Sequence, residues 1–242
     1  GYGVKFVLSD AQSFIESYPS NATHSIWNHN AGRKMGEIWG FETIGIAKTK
    51  EEMDAHLEKV GGQPFGSEWN AGDIMYKDLD GKPGITKGAE TLEDHGDLKV
   101  IGNNTPRFHF GIDLTANWKG FDVRAFFQGV MKRDVWNGTN MFWGVKADMW
   151  WSSGFKEHGD YFRAEPTGLP GHEIPANLDA YYPRPLFRSG MNQETQTRYL
   201  QDASYIRLKN LQIGYTLPTS WTRSIGISNC RLFVSGENVW TG

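Results

Sequence analysis

The chain has 242 residues, a net charge of −3 and one cysteine, and it is only 38% hydrophobic yet 14% aromatic, with 29 glycines. A single cysteine excludes an internal disulfide framework, and with no basic stripe or block of like charge nothing addresses nucleic acid. No run approaches the ~18–20 consecutive apolar residues of a membrane-spanning helix, although barrel strands, of about 9–11 alternating residues each, escape that test.

Val4–Leu8 is the first strand candidate, and a polar loop with His24, Trp27 and His29 follows it. Glu37–Ala47 (EIWGFETIGIA) is rich in β-branched and aromatic residues and predicts a strand broken by glycine. The chain then predicts one short helix. Thr49 serves as N-cap, Glu52 completes a capping box, Met53, Leu57 and Val60 form an apolar stripe, and Gly61-Gly62 ends it. Residues 63–105 have little periodicity and much Gly and Asp, and they read as a long loop of the kind that is functional or ordered by what it binds.

After Pro106 the alternation becomes strict. Phe108, Phe110, Ile112, Leu114, Ala116 and Trp118 share one face, and Arg107, His109, Gly111, Asp113, Thr115 and Asn117 share the other. A globular strand is usually about 5–6 residues long, and this one runs to twice that. Lys119-Gly120 predicts a tight turn, and FDVRAFFQGVMKR returns with Phe121, Val123, Ala125 and Phe127 on one face. A long hairpin with aromatics near its ends and charges behind suits a wall between lipid and a wet lumen. A soluble sandwich alternates too.

Residues 135–198 predict a second long loop, which carries Trp136, Trp143, Trp150 and Trp151. Prolines at 166, 170, 175, 183 and 185 preclude a regular helix or a central strand there. Two further strands are predicted, Ala203–Leu217 and Cys230–Glu237. In the first, Ile206 and Leu208 share one parity and Leu211, Ile213 and Tyr215 the other, so a β-bulge is expected at Lys209-Asn210. The link Pro218–Asn229 is short, as a periplasmic connection would be.

Catalytic signals are missing. There is no H-E-x-x-H, G-x-S-x-G or P-loop, and neighbouring carboxylates such as Glu93-Asp94 diverge instead of converging as a glycosidase pair does. Asp78-Leu-Asp80-Gly81 is similar to the start of a calcium loop, with Asp78 and Asp80 as candidate ligands. Lys82 replaces the third acidic residue and Pro83 the turn glycine. The alternative is a tight Asp-Gly turn. Trp136, Trp143, Trp150 and Trp151 offer flat faces for stacking on sugar rings, or for packing loop on loop.

Six segments occur in one order: IWGFETIGIAKTKEEM (Ile38–Met53), AGDIMYKDLDGKPGI (Ala71–Ile85), VIGNNTPRFHFGIDL (Val100–Leu114), KGFDVRAFFQGV (Lys119–Val130), LQDASYIRLKNLQIGYTLP (Leu200–Pro218) and FVSGENVWT (Phe233–Thr241). Together they resemble the SusC/RagA-type TonB-linked outer-membrane transporters. The resemblance implies an all-β chain whose residues 1–242 are a C-terminal portion of a large transmembrane antiparallel β-barrel. That barrel has long extracellular loops, and here one short loop helix. The plug, the TonB box and the terminal strand would lie outside this segment. The resemblance further implies a transporter rather than an enzyme, in the outer membrane of a Gram-negative bacterium. It would import oligosaccharides or peptides, in contact with outer-membrane lipid and with TonB and a SusD-like surface lipoprotein as partners. No cofactor is implied beyond the calcium considered at Asp78 and Asp80. The competing reading is a secreted, Trp-rich carbohydrate-binding β domain.

Overall fold

The computed structural model describes residues 1–145, 154–187 and 189–242. Its strands are β1 (Tyr2–Ser9), β2 (Glu37–Phe41), β3 (Thr43–Ile46), β4 (Ile74–Tyr76), β5 (Leu98–Asn103), β6 (Arg107–Trp118), β7 (Phe121–Lys132), β8 (Asp134–Trp136), β9 (Thr167–Leu169), β10 (His172–Ile174), β11 (Leu200–Asp202), β12 (Tyr205–Thr216) and β13 (Arg231–Thr241). The helices are α1 (Lys50–Val60) and two single turns, α2 (Asn140–Trp143) and α3 (Thr219–Thr222). The fold is all-β with few short helices, as expected. It divides into a strand unit, residues 1–13, 104–134 and 202–242, and a loop unit, residues 14–103 and 135–201. The loop unit therefore consists of the two long connections, one from β1 to β6 and one from β7 to β12.

In the strand unit the order is β1-β6-β7-β12-β13, antiparallel throughout. Residues directly opposite one another point to the same side of a sheet, so the register sorts every side chain onto one of two faces. One face is apolar on every rung. From one end to the other the rungs are Leu8–Phe110–Gly129–Ile206, then Phe6–Ile112–Phe127–Leu208–Trp240, then Val4–Leu114–Ala125–Leu211–Gly236. Tyr2–Ala116–Val123–Ile213–Val234 and Trp118–Phe121–Tyr215–Leu232 complete it. A slip of one residue in any strand would exchange its two faces.

The predicted bulge is present. Pairing shifts between Leu208 and Asn210 on both sides of β12, so Lys209 is the extra residue and Ile206 and Leu208 rejoin the face of Leu211 and Ile213. Lys209 donates from Nζ to Asn238 Oδ1 at 3.2 Å, and Asn238 takes φ 50, so β13 bends with its neighbour. The last strand runs beyond the predicted Glu237 to Thr241. At the start of β6, Phe108 departs from the predicted alternation. Its φ is 55 and it falls outside the regular pairing, where Asp10 accepts from its backbone N–H and pairs with Arg107. The sheet is open, with β1 and β13 as edges, and no closed barrel forms among the described residues.

In the loop unit the antiparallel pairs β2–β5 and β3–β4 pack with α1 around Phe41, Met53, Ile74, Tyr76, Leu98 and Tyr199, all essentially inaccessible. Thr49 caps α1 as predicted, its Oγ1 accepting from Glu52 N–H at 3.2 Å. The returning Glu52 carboxylate accepts instead from Lys48 N–H, at 2.6 Å, one residue before the cap. Gly61, at φ 77, ends the helix in the left-handed conformation.

Two expectations are corrected here. The Glu37–Ala47 run breaks at Glu42, not at a glycine, because that carboxylate turns to accept from Lys77 and Lys99. Residues 63–105 are not all loop, since β4 and β5 lie within them. All three residues of β4 are buried, so it has no alternation to betray it. Gly40 sits where a Cβ would lie 2.5 Å from Thr195 O, and Phe41 N–H donates to that same oxygen at 2.8 Å. The two connections are thus laced together by backbone contact. No helix among the described residues is long and apolar enough to cross a membrane.

Candidate functional site

Much of the apolar face of the strand unit is exposed. Val4 is 70% exposed, Ile213 50% and Val234 79%. The opposite face is charged and cross-linked. Arg124 reaches Asp113 on the neighbouring strand with two bonds of 3.0 and 2.6 Å. Arg231 of β13 reaches across β12 to Asp122 of β7, with Nε 2.9 Å from the carboxylate. The residue crossed is Gly214, where a Cβ would come within 2.5 Å of the guanidinium and 2.7 Å of the carboxylate. The glycine in QIGYTLP is therefore the opening through which an ion pair ties three strands.

The loop unit contains a cavity of about 270 Å³ whose walls include Trp143, His158, Tyr161, Tyr182, Leu186 and Phe187. Of the tryptophans singled out from the sequence, Trp143 is 6% exposed and packs edge-on against Tyr199, with ring centres 4.8 Å apart. Trp136 is half-buried, 6.1 Å from Trp143. The pair is thus largely packed loop on loop, with Trp143 also forming cavity wall. Trp150 and Trp151 lie outside the described residues. Trp143 Nε1 and Gln193 Oε1, both on residues that line the cavity, are buried and have no hydrogen-bond partner among the described residues.

Sequence reasoning missed the polar support of this cavity. Arg184, between Pro183 and Pro185, directs Nε and Nη2 to the two oxygens of Asp73, each at 2.7 Å, and Nη2 also donates to Glu68 O at 2.9 Å. Asp73 is completely buried and accepts further from Asn192 Nδ2 and Asn70 N–H, both at 2.8 Å. The prolines on both sides of Arg184 were the available signal, since they fix the backbone that aims it. Tyr199 donates its hydroxyl to Tyr181 O at 2.7 Å, and burial pushes its ionisation well above the ordinary range. Among the described residues the cavity wall is chiefly aromatic and apolar and holds no carboxylate.

The predicted Asp78 and Asp80 do come together, and Asp97 joins them, with one oxygen of each within 4.8 Å of the others. No local spacing announces Asp97. Its carboxylate, fully buried, accepts from Leu79 N–H at 2.6 Å and Thr86 N–H at 2.8 Å, while Asp78 accepts from Gly81 N–H at 2.7 Å. The backbone N–H of Lys82 and then its ammonium hold the Asp80 carboxyl below its usual range. Calcium takes six to eight oxygen ligands, whereas these oxygens already serve a turn and face a cation. Millimolar calcium is accordingly expected to leave the melting temperature unchanged, and Asp97→Asn to lower stability by about 1–3 kcal/mol, because one of the two acceptor oxygens becomes an NH2 facing a backbone N–H. A calcium-dependent rise in melting temperature that Asp80→Asn abolishes would reverse this reading.

No family model matches the chain. TonB-dependent receptor P3 of Formosa agariphila is 30% identical to it over 210 residues, 87% of the chain. The chain belongs to the TonB-dependent receptor family. TonB-dependent receptor P26 of the same organism is 24% identical over 216 residues, and the chain spans 18% of the length of either receptor. Among solved structures, the RagAB peptide transporter matches with a TM-score of 0.52 and 19% identity, over 85% of this chain and 19% of that one. The RagAB peptide importer in its closed-closed state gives 0.53 and 17%, over 100% of this chain and 24% of that one. Both likenesses are of fold. The two receptors bear out the TonB-linked receptor reading of this segment.

Proposed function

We propose that the segment supplies five strands of wall and two extracellular loops to an outer-membrane transporter of a Gram-negative bacterium. Strands from the rest of the longer receptor close the sheet into a large antiparallel barrel. The transporter imports oligosaccharides or peptides, energised through TonB and served by a SusD-like surface lipoprotein. The similar RagAB structures are of a peptide transporter, which favours peptides.

The observation that carries this reading is the five-rung apolar face with charges behind it. Four intervals of two residues at about 3.4 Å per residue span about 27 Å along the strands. At a tilt of about 40° that is a height of about 21 Å, close to the ~25 Å apolar band of outer-membrane barrels. The ends agree. Both long connections leave from the end of the sheet that holds Ser9, Arg107, Lys132 and Tyr205, and the short Lys119-Gly120 turn and Pro218–Asn229 link lie at the other end. Long connections on the extracellular side and short ones on the periplasmic side are the barrel arrangement. A soluble sandwich would lay a second sheet over the apolar face, whereas the described residues of the strand unit form one five-stranded sheet. In the loops, the aromatic cavity with Trp143 in its wall and Trp136 behind it is the proposed contact for substrate, with Trp150 and Trp151 in the same connection.

Expression of residues 1–242 without detergent tests the wall. Aggregation is expected, with folding recovered only in the full-length receptor in lipid. A monodisperse, cooperatively melting soluble monomer would overturn the proposal.

A further inference from the structure

The link between β12 and β13 is a built turn. In it α3 runs into a 3-10 turn, Arg223–Ile225, closed by Gly226 at φ 75. Trp221 N–H donates to Pro218 O at 2.9 Å, Ser224 Oγ to Trp221 O at 2.9 Å, and Ile227 N–H to Thr222 O at 3.0 Å. Thr222 is 2% exposed, so the turn has an inside. Its outside is Trp221, 65% exposed, Ile225, 70%, and Ile227, 42%. A turn that buries threonine and displays tryptophan and isoleucine is inverted for contact with water. Trp221 and Ile225, four residues apart on a helical path, lie on one side.

The link also continues the apolar face. Leu217 N–H donates to Cys230 O at 2.9 Å, one step past the Tyr215–Leu232 rung, and Thr216 N–H donates to Gly120 O at 2.8 Å in the adjoining turn. The rim at that end is aromatic, with the rings of Phe121 and Tyr215 4.5 Å apart and the Lys119 ammonium 4.9 Å from the centre of Trp118. Residues 218–229 contain no carboxylate, and Arg223 is their one charge.

Resting on the membrane-wall reading above, we infer that this turn is an interfacial anchor. It lies in the phospholipid headgroup layer on the short-turn side, with Trp221 and Ile225 inserted and Arg223 facing phosphate, and it sets the depth of the wall. Indole, an apolar body with one N–H, favours that layer. A cation without neighbouring carboxylates meets anionic headgroups without repulsion.

The test uses the full-length receptor folded in phosphatidylcholine–phosphatidylglycerol vesicles, in a background freed of cysteines, Cys230→Ser included. Bimane is placed at Ile225→Cys in the turn or at Val234→Cys in the wall, and quenching by lipids spin-labelled at the headgroup or along the acyl chain is measured. The position-225 label should be quenched at least twofold more by headgroup than by deep acyl labels, and the position-234 label more by acyl labels. Adding Trp221→Ser should reduce quenching at position 225 by about half. Quenching at 234 together with a 225 label reached only by aqueous iodide would overturn the anchor and leave the wall standing, assigning the turn to water or a periplasmic partner. Unchanged quenching at 225 in the Trp221→Ser variant would likewise overturn the anchoring role. Lack of lipid quenching at both positions would instead sink the wall reading itself.

Discussion

Ile112→Arg should lower the folding stability of the full-length receptor in lipid by about 2–4 kcal/mol, the penalty for a cation on the lipid face near the bilayer midplane. Ile112 lies between Phe6 on β1 and Phe127 on β7, one rung from the middle of the five. The penalty is depth-dependent, so Leu114→Arg on the middle rung should be at least as costly. Leu8→Arg at the end of the face should fall toward about 0–1 kcal/mol. On the charged face, Gln128→Arg meets no lipid and should stay within about 0.5 kcal/mol. Equilibrium folding into vesicles, followed by the folded fraction against denaturant, measures all four. A larger penalty for Gln128→Arg than for Ile112→Arg would mean that the two faces have been assigned the wrong way round, and equal penalties would mean that lipid does not distinguish them.

The five-stranded sheet was legible in the sequence because its two faces differ in polarity. Period-two alternation marks a strand whose two faces meet different surroundings, and β6 from His109 onward and most of β7 display it. The bulge was legible for the same reason, since Leu208 and Leu211 can share a face only if Lys209 is extra. Where the signal is not periodic, it fades. β4 is buried on both sides, and β2 stops before Glu42, whose carboxylate Lys77 and Lys99 hold below its usual range from distant segments. Gln196 reads as loop polarity, yet it is completely buried and donates to Tyr76 Oη at 3.2 Å and Asn192 O at 2.9 Å. Asp97 completes the acidic corner from seventeen residues beyond Asp80. These contacts join residues by complementarity across the fold, which neither composition nor spacing records. The tryptophans were legible as important and illegible as to role, because an indole that packs and one that binds look alike in a string of letters.

The same holds most strongly for Asp73 and Arg184, and here the second large effect is expected. Arg184→Ala should destabilise the loop unit by about 3–5 kcal/mol, because it strands a completely buried carboxylate that has lost a bidentate cation. Arg184→Lys should recover little, since an ammonium is a point charge and cannot meet both oxygens in parallel. The double variant Asp73→Ala/Arg184→Ala should cost less than the two single changes added together, since it removes the stranded charge along with its partner. Hydrogen exchange on the full-length receptor reads this directly. Protection should fall around residues 70–76 and 184–199 while β6 and β7 keep theirs. Asp73 belongs to the first connection and Arg184 to the second, and Asn192 Oδ1 accepts from Ile74 N–H at 2.9 Å beside them. Breaking the pair therefore releases the two connections from each other at the wall of the aromatic cavity. If exchange in both segments were unchanged in Arg184→Ala, the pair would be a surface-like contact, and the cavity would owe its shape to the Trp143–Tyr199 packing alone.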